Sequence, residues 1–350
     1  MDSIDTSAPP EPLLEVHGLT VEFRTRRGVV RAVDDVSFSV QPGERLAIVG
    51  ESGSGKSTAC LAIGGFLPPY AEVTAESMRL DEVDLLARKT SRIPLGTPHL
   101  GLVFQDAMTS LDPVWTVGSQ LLAALKGKSL RAGVKESKGE ALAEARDWLH
   151  RVGLTDTERV MKARPDALSG GMRQRVMIAL ALCGGPELLI ADEPTSALDA
   201  STSHEVMDLM VEMTETLGAA LIIVSHDLKL CQEYTSRMVV MYGGKAVEQA
   251  PSIDLDTTAR HPYTSALLGC VPTLAKRNVD LLPIIPVNVP RESASVHGQC
   301  VFRDRCEFAV AACAVAPPLV DVADRHEAAC WVTAGPTDAD SRIPETVGSH

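Results

Sequence analysis

The chain has no apolar run approaching the ~20 residues that a membrane-spanning helix needs. It is also short of positive charge: 33 Lys and Arg against 46 Asp and Glu leave a net charge of −13, which argues against a nucleic-acid-coating surface. The opening, MDSIDTSAPPEP, is acidic and proline-rich and lacks the basic-then-apolar order of a secretory signal. These absences lead us to expect a chain that stays in the cytoplasm, where thiols remain reduced and cysteines bind metal more readily than they form disulfides. Apolar content is ordinary for a soluble protein. A length of 350 residues allows one large core plus a smaller appendage.

The informative stretch is Leu46 to Thr58, LAIVGESGSGKST. An apolar, strand-like run ends at Gly50, and Glu51, Ser52, Gly53 and Ser54 lead into Gly55, Lys56, Ser57 and Thr58. Polyphosphate needs a concave ring of backbone N–H groups, and glycines let the chain turn tightly enough to supply it. A following helix adds its N-terminal amides and dipole. Lys56 can then set a positive charge on the terminal phosphates, and the Ser57 hydroxyl can ligate Mg²⁺. The pattern predicts a nucleotide phosphate site at the end of a buried strand.

Before that loop, LLEVHGLTVEF and VVRAVDDVSFSV alternate apolar and polar residues with period two, predicting half-buried antiparallel strands. Phe23 falls in the first of them and suits two roles, stacking on an adenine ring or simple core packing. Past Gln105, KESKGEALAEARDWLHRVGL has helical spacing. Ser169, Gly170 and Gly171 then open a long helical run, a second potential anion site. ELLIADEP reads as a buried strand that leaves Asp192 and Glu193 at the edge where open α/β sheets bind ligands. Adjacent acids there suit a cation and a reacting water, which assigns Asp192 to Mg²⁺ and makes Glu193 the base. AALIIVSHDL is another strand, ending at His226, and MVVMYGGKAVEQ reads as a hairpin turning at Gly243-Gly244.

Taken together, GESGSGKST, Gln105, LSGGMRQ, LLIADEP, SALD and His226 resemble an ABC-type ATPase subunit over about 250 residues. VFQDAMTSLDP, HPYTSALLGCVP and the terminal cysteines narrow the likeness to the ATP-binding subunits of bacterial dipeptide/oligopeptide importers. The resemblance implies an α/β fold: a RecA-like P-loop core with an antiparallel β subdomain and a helical subdomain, followed by a small cysteine-rich segment. It implies a disordered tail over 1–12, an ATPase domain over 13–270 with the helical part near 106–168, a C-terminal segment over 271–332 and a second tail over 333–350. Phe23 becomes the adenine-stacking aromatic, and Gln105 a Mg²⁺/water ligand that links to the membrane partner. Ser169, Gly170 and Gly171 contact the γ-phosphate held by the other ATPase subunit, Asp199 communicates between paired sites, and His226 supports hydrolysis. Two ATPase subunits, identical or paralogous, pair head to tail around two ATPs. They dock on two permease subunits at the cytoplasmic face of the plasma membrane, with an extracytoplasmic solute-binding protein supplying cargo. Nickel or another small solute remains an alternative cargo, and a non-transport regulatory ATPase an alternative role. Three places depart from the family pattern: Met172, which is usual in the peptide-importer group, Ala107, and the IPVNVP segment ahead of the cysteines.

The tail carries its own constellation. After a proline-rich link from Pro272 to Pro290 come Cys300, Cys306, Cys313 and Cys330, while Cys60, Cys183, Cys231 and Cys270 sit in apolar segments as core thiols. Clustered cysteines in a reducing compartment suggest a thiolate-ligated metal centre, and their spacing is wider than that of paired C-x-x-C zinc ribbons. The family resemblance favours a four-iron four-sulfur cluster, with zinc or no metal as alternatives. His326 could stand in as a ligand or be a capping or surface residue.

Overall fold

Two β-sheets organise the fold in a computed structural model that describes residues 11–333 apart from 27, 88–98, 106–109, 197, 254 and 272–297. Residues 1–10 and 334–350 of the two tails, Ala107, and the proline-rich link with its IPVNVP segment lie outside the described residues. The strands β1 (Leu14–Thr25) and β2 (Gly28–Val40) lead to β3 (Arg45–Val49) and helix α1 (Lys56–Gly64). β4 (Ala71–Thr74), β5 (Ser77–Leu80), β6 (Val83–Asp84) and β7 (Leu100–Val103) follow. Helices α2 (Val117–Arg131), α3 (Lys138–Arg151), α4 (Thr157–Lys162) and α5 (Gly170–Leu182) come next. The chain continues through β8 (Leu188–Asp192), α6 (Ala200–Leu217), β9 (Ala220–Ser225), α7 (Leu228–Tyr234), β10 (Arg237–Tyr242) and β11 (Lys245–Pro251). Short helices α8 (Leu255–Thr258) and α9 (Pro262–Gly269) precede the final strands, β12 (Val320–Ala323) and β13 (His326–Ala328).

The period-two segments form the smaller sheet, ordered β2-β1-β5-β6 with β4 also pairing β1, all antiparallel. The larger sheet runs β12-β13-β11-β10-β3-β9-β8-β7, with β10, β3, β9, β8 and β7 parallel. Its central strands are apolar throughout because both faces are covered. Leu46, Ile48, Leu188, Ile190, Ile222 and Val224 point into a core closed by α1 and the smaller sheet. Their neighbours Ala47, Val49, Leu189, Ala191, Leu221 and Ile223 point into a second core closed by helices that supply Leu121, Leu125, Trp148, Leu149, Val176 and Met210.

Local sequence fixes the ends of the elements. Ser137 and Glu140 form a reciprocal capping box that starts α3. The β10–β11 hairpin turns at Gly243 and Gly244, with φ values of 56° and 86°, a pair of left-handed residues that matches strand twist. The C-terminal segment is more than an appendage: β13 pairs with β11, and Cys300, Phe302 and Cys313 lie in the same core as the helices.

Candidate functional site

Three parallel strands deliver the chemistry at their C-terminal edge, where α/β sheets bind ligands. β3 runs into the phosphate loop, β8 ends on Asp192, and β9 ends one residue before His226. At Gly50 a side chain is sterically excluded, since a Cβ there would lie 2.1 Å from the Met241 carbonyl oxygen. Lys56 is buried, and its Nζ donates to the carbonyl oxygens of Gly50 at 2.8 Å and Glu51 at 2.9 Å. Burial holds its ammonium below the usual lysine range, against the opposing pull of Glu193 and Asp192.

Ser57 Oγ donates to Asp192 Oδ1 at 2.8 Å, so the loop hydroxyl and the strand-end carboxylate form one oxygen pair. Desolvation pushes the Asp192 carboxyl above its ordinary value while the Ser57 hydrogen bond pulls it back. Glu193 adopts φ 46°, a left-handed conformation that costs a non-glycine residue ~1–2 kcal/mol. Its N–H donates to the Val224 carbonyl at 2.8 Å, which fixes the turn. The Glu193 carboxylate accepts from Gln105 Nε2 at 2.9 Å and lies 3.5 Å from His226 Nδ1. A cavity of about 480 Å³ opens beside these groups, lined by Ser52, Gly53, Gly55, Lys56, Ser57 and Thr58 together with Gln105, Glu193 and His226. A cationic loop, an oxygen pair suited to a hard divalent cation and a carboxylate facing open space can together hold a polyphosphate and polarise a water.

A family profile described as ABC transporter matches residues 33–196, and one described as oligopeptide/dipeptide transporter, C-terminal region, matches residues 247–313. A putative peptide import ATP-binding protein of Brucella abortus is 42% identical over 334 residues, covering 91% of this chain and 97% of its own. The chain belongs to the ABC transporter family. The oligopeptide transport ATP-binding protein OppD of Mycobacterium tuberculosis is also 42% identical, over 322 residues and 91% of this chain. The chain spans about half the length, 52%, of that mycobacterial relative. The dimeric post-hydrolysis structure of the ATP-binding cassette MJ0796, bound to ADP and Pi, superposes with a TM-score of 0.56 at 27% identity, covering 68% of this chain and 98% of that one. Clostridium perfringens cbiO1, described as part of the transporter complex cbiONQ, gives a TM-score of 0.55 at 27% identity over 71% of this chain and 92% of its own.

Within this ABC cassette the remaining sequence-derived residues fall in different places. Ser169 caps α5, accepting from the Met172 N–H at 3.3 Å, and neither it nor Gly170 or Gly171 lines the Lys56 cleft. A Cβ at Gly170 or Gly171 would meet nothing within 4 Å, so packing inside this chain gives no reason for glycine at either position. Asp199 caps α6, with Ser201, Thr202 and the Thr202 N–H all donating to it, and these bonds hold its carboxyl down at about 2. Phe23 is half-buried, its ring 6.2 Å from that of Tyr70, and it does not line the phosphate cleft. Gly50, Glu51 and Ser54 also stand outside the lining; Ser54 is buried, and the Glu51 carboxylate turns away to Arg305.

Three contacts at this site have no counterpart in the sequence reading. Gln174 reaches from α5 to the Pro194 carbonyl just after Glu193. Tyr263 Oη accepts the Glu51 N–H at 2.8 Å, and Arg305 grips the Glu51 carboxylate. Gln174 and Tyr263 belonged to motifs already in view, but Tyr263 and Arg305 lie more than two hundred positions from Glu51, with separations of 212 and 254 residues.

The cysteine expectation gains no support from the fold. Cys300, Cys313 and Cys330 are buried and Cys306 half-buried; burial pushes the Cys300 thiol up to about 11, and the other three thiols add to the shift. They share a neighbourhood, yet among the described residues no group of three or more His, Cys, Asp or Glu is placed to hold a metal ion. His326 is not a surface residue. It is buried with Nε2 2.7 Å from Glu248 Oε1, and that carboxylate also accepts the Arg260 and His261 N–H groups. Cys60, Cys183 and Cys231 are buried and Cys270 half-buried, with burial pushing the Cys183 and Cys231 thiols up to about 12.

Proposed function

We propose that this ABC cassette binds and hydrolyses ATP to energise import of di- or oligopeptides. The observation that carries the reading is the convergence of Lys56, the Ser57–Asp192 pair and the Gln105–Glu193–His226 cluster around one cleft. The loop N–H groups and Lys56 neutralise the triphosphate. Ser57 and Asp192, with Gln105 nearby, are the oxygen donors that would hold Mg²⁺, whose chemistry is charge neutralisation across the phosphates. Glu193 takes a proton from the attacking water, Gln105 orients that carboxylate, and His226 stabilises the charge growing on the terminal phosphate. The peptide cargo is supported by the match to the oligopeptide/dipeptide C-terminal region and by the printed names of the relatives.

A single chain supplies half of each site. The signature residues Ser169, Gly170 and Gly171 are outside the chain's own cleft, and an ATP-binding cassette of the same fold is solved as a dimer. We take the partner to be a second ATPase subunit, identical or paralogous, and the pair to dock through the Gln105 region on two permease subunits at the cytoplasmic membrane face. No helix among the described residues is long and apolar enough to cross a membrane itself. Phosphate release from the assembled transporter tests the base: Glu193→Gln should abolish turnover while ATP still binds, and parental turnover would refute the assignment.

The four tail cysteines suit a four-iron four-sulfur cluster in donor number and softness, with zinc the weaker alternative. Such a group would tie the segment together, since metal ligation can contribute ~10 kcal/mol of folding energy. Anaerobic purification with iron and sulfide analysis should give iron and sulfide in equal amounts; colourless, iron-free protein retaining zinc would overturn the iron–sulfur reading.

A further inference from the structure

The phosphate loop and the cysteine segment meet at one residue, Glu51. Its carbonyl is one of the two acceptors that hold Lys56 Nζ, at 2.9 Å. Its N–H donates to Tyr263 Oη at 2.8 Å, and Tyr263 is fully buried. Its carboxylate is gripped by both arms of one guanidinium: Arg305 Nη1 lies 2.9 Å from Oε2 and Nη2 3.1 Å from Oε1. The same Nη1 donates to Tyr242 Oη at 3.0 Å, and the guanidinium carbon sits 5.5 Å from the centre of that ring. Phe302 packs against both tyrosines, with ring centres 5.2 Å and 5.4 Å away. Arg305 closes the single turn Arg303–Arg305 immediately before Cys306, so its position is set by how the cysteine segment folds.

We propose that Arg305 is a positioning residue for nucleotide binding: by fixing Glu51 it holds the phosphate loop in its Lys56-ready form and makes ATP affinity depend on the folded cysteine segment. This rests on the reading of the cleft as an ATP site. An isolated exposed ion pair would do little. This one is a bidentate fork with Arg305 only 15% exposed, and a fork fixes direction as well as distance. Loss of the fork frees the Glu51 peptide, whose carbonyl orients Lys56, without removing any group from the cleft. The effect should therefore fall on ground-state affinity rather than on the chemical step.

The test uses the full chain assembled with its partners. It compares ATP affinity, KM, kcat and Tm for the parent, Arg305→Gln, Arg305→Lys, Glu51→Gln and the double variant, with Lys56→Ala as the binding-null control. Arg305→Gln and Glu51→Gln should each weaken ATP binding about tenfold, and Arg305→Gln should change kcat at saturation by less than about twofold. Arg305→Lys should recover only part of the loss, because an ammonium keeps the charge and not the fork. The double variant should be no weaker than the weaker single, since both remove one interaction. Parental affinity in Arg305→Gln, with or without a lower Tm, would overturn the proposal, as would additive losses in the double variant. If Arg305→Gln fails to fold, Glu51→Gln decides alone: parental affinity there overturns the proposal. A parent that binds no better than Lys56→Ala would instead sink the ATP reading itself.

Discussion

Gly50 and Gly53 occupy the same loop, yet the fold constrains them differently. At Gly50 a methyl group would collide with the Met241 carbonyl oxygen at 2.1 Å, whereas at Gly53 nothing lies within 4 Å and only φ 80° is unfavourable. In urea unfolding, Gly53→Ala should cost about 1 kcal/mol, and Gly50→Ala should cost more than about 3 kcal/mol because backbone must move. Equal losses would show that the loop yields freely. Asp192 offers a test of sign. Its carboxyl is raised above its unfolded value by burial, so ionisation is harder in the folded state. Its contribution to stability is therefore fullest below the unfolded value and declines as pH rises through the folded one. Asp192→Asn should raise Tm at neutral pH and lose hydrolysis, a trade of function for stability; a lower Tm would contradict the burial argument. Lys56, Ser57, Asp192 and Glu193 were legible in the sequence because each motif is local and its chemistry dictates its residue types. Arg305 and Tyr263 were not, because their partner Glu51 is 254 and 212 residues away and no local pattern records such a pairing.

The strands divide along the same line. β3, β8 and β9 could be read as continuous apolar runs because both faces of the parallel sheet are covered, and β1 and β2 by alternation because one face is. β12 and β13, at 4 and 3 residues, are too short to show a period, and β13 is ordered by pairing with β11 across the chain. That pairing is what turned an expected appendage into part of the main core. Phe302, 3% exposed among Tyr242, Tyr263 and His261, measures how integral the segment is. Phe302→Ala should cost ~3–5 kcal/mol in chemical unfolding, against less than about 1 kcal/mol for a loosely attached tail. Ser137→Ala, which removes one side of the α3 capping box, should cost about 1 kcal/mol, a reference for purely local stabilisation.

At the scale of the molecule, a division of labour between the phosphate loop and the LSGG helix start would explain features that one chain leaves without a reason. Gly170 and Gly171 have room for side chains, and Ser169 is exposed at the start of α5. All three become intelligible if a second protomer's nucleotide approaches them, and Gly171→Tyr should then stop turnover in the assembled transporter while this chain still binds ATP and keeps the parental Tm. The Asp199 cap, with its carboxyl held down at about 2 by the Ser201 and Thr202 donors, stays ionised throughout the working pH range. The most direct measurement is ATP hydrolysis per chain, followed from a dilute preparation verified as monomeric up to the assembled complex. A site shared between protomers predicts negligible turnover by the monomer, rising as protomers pair; a verified monomer that hydrolyses ATP as fast as the complex would contradict it.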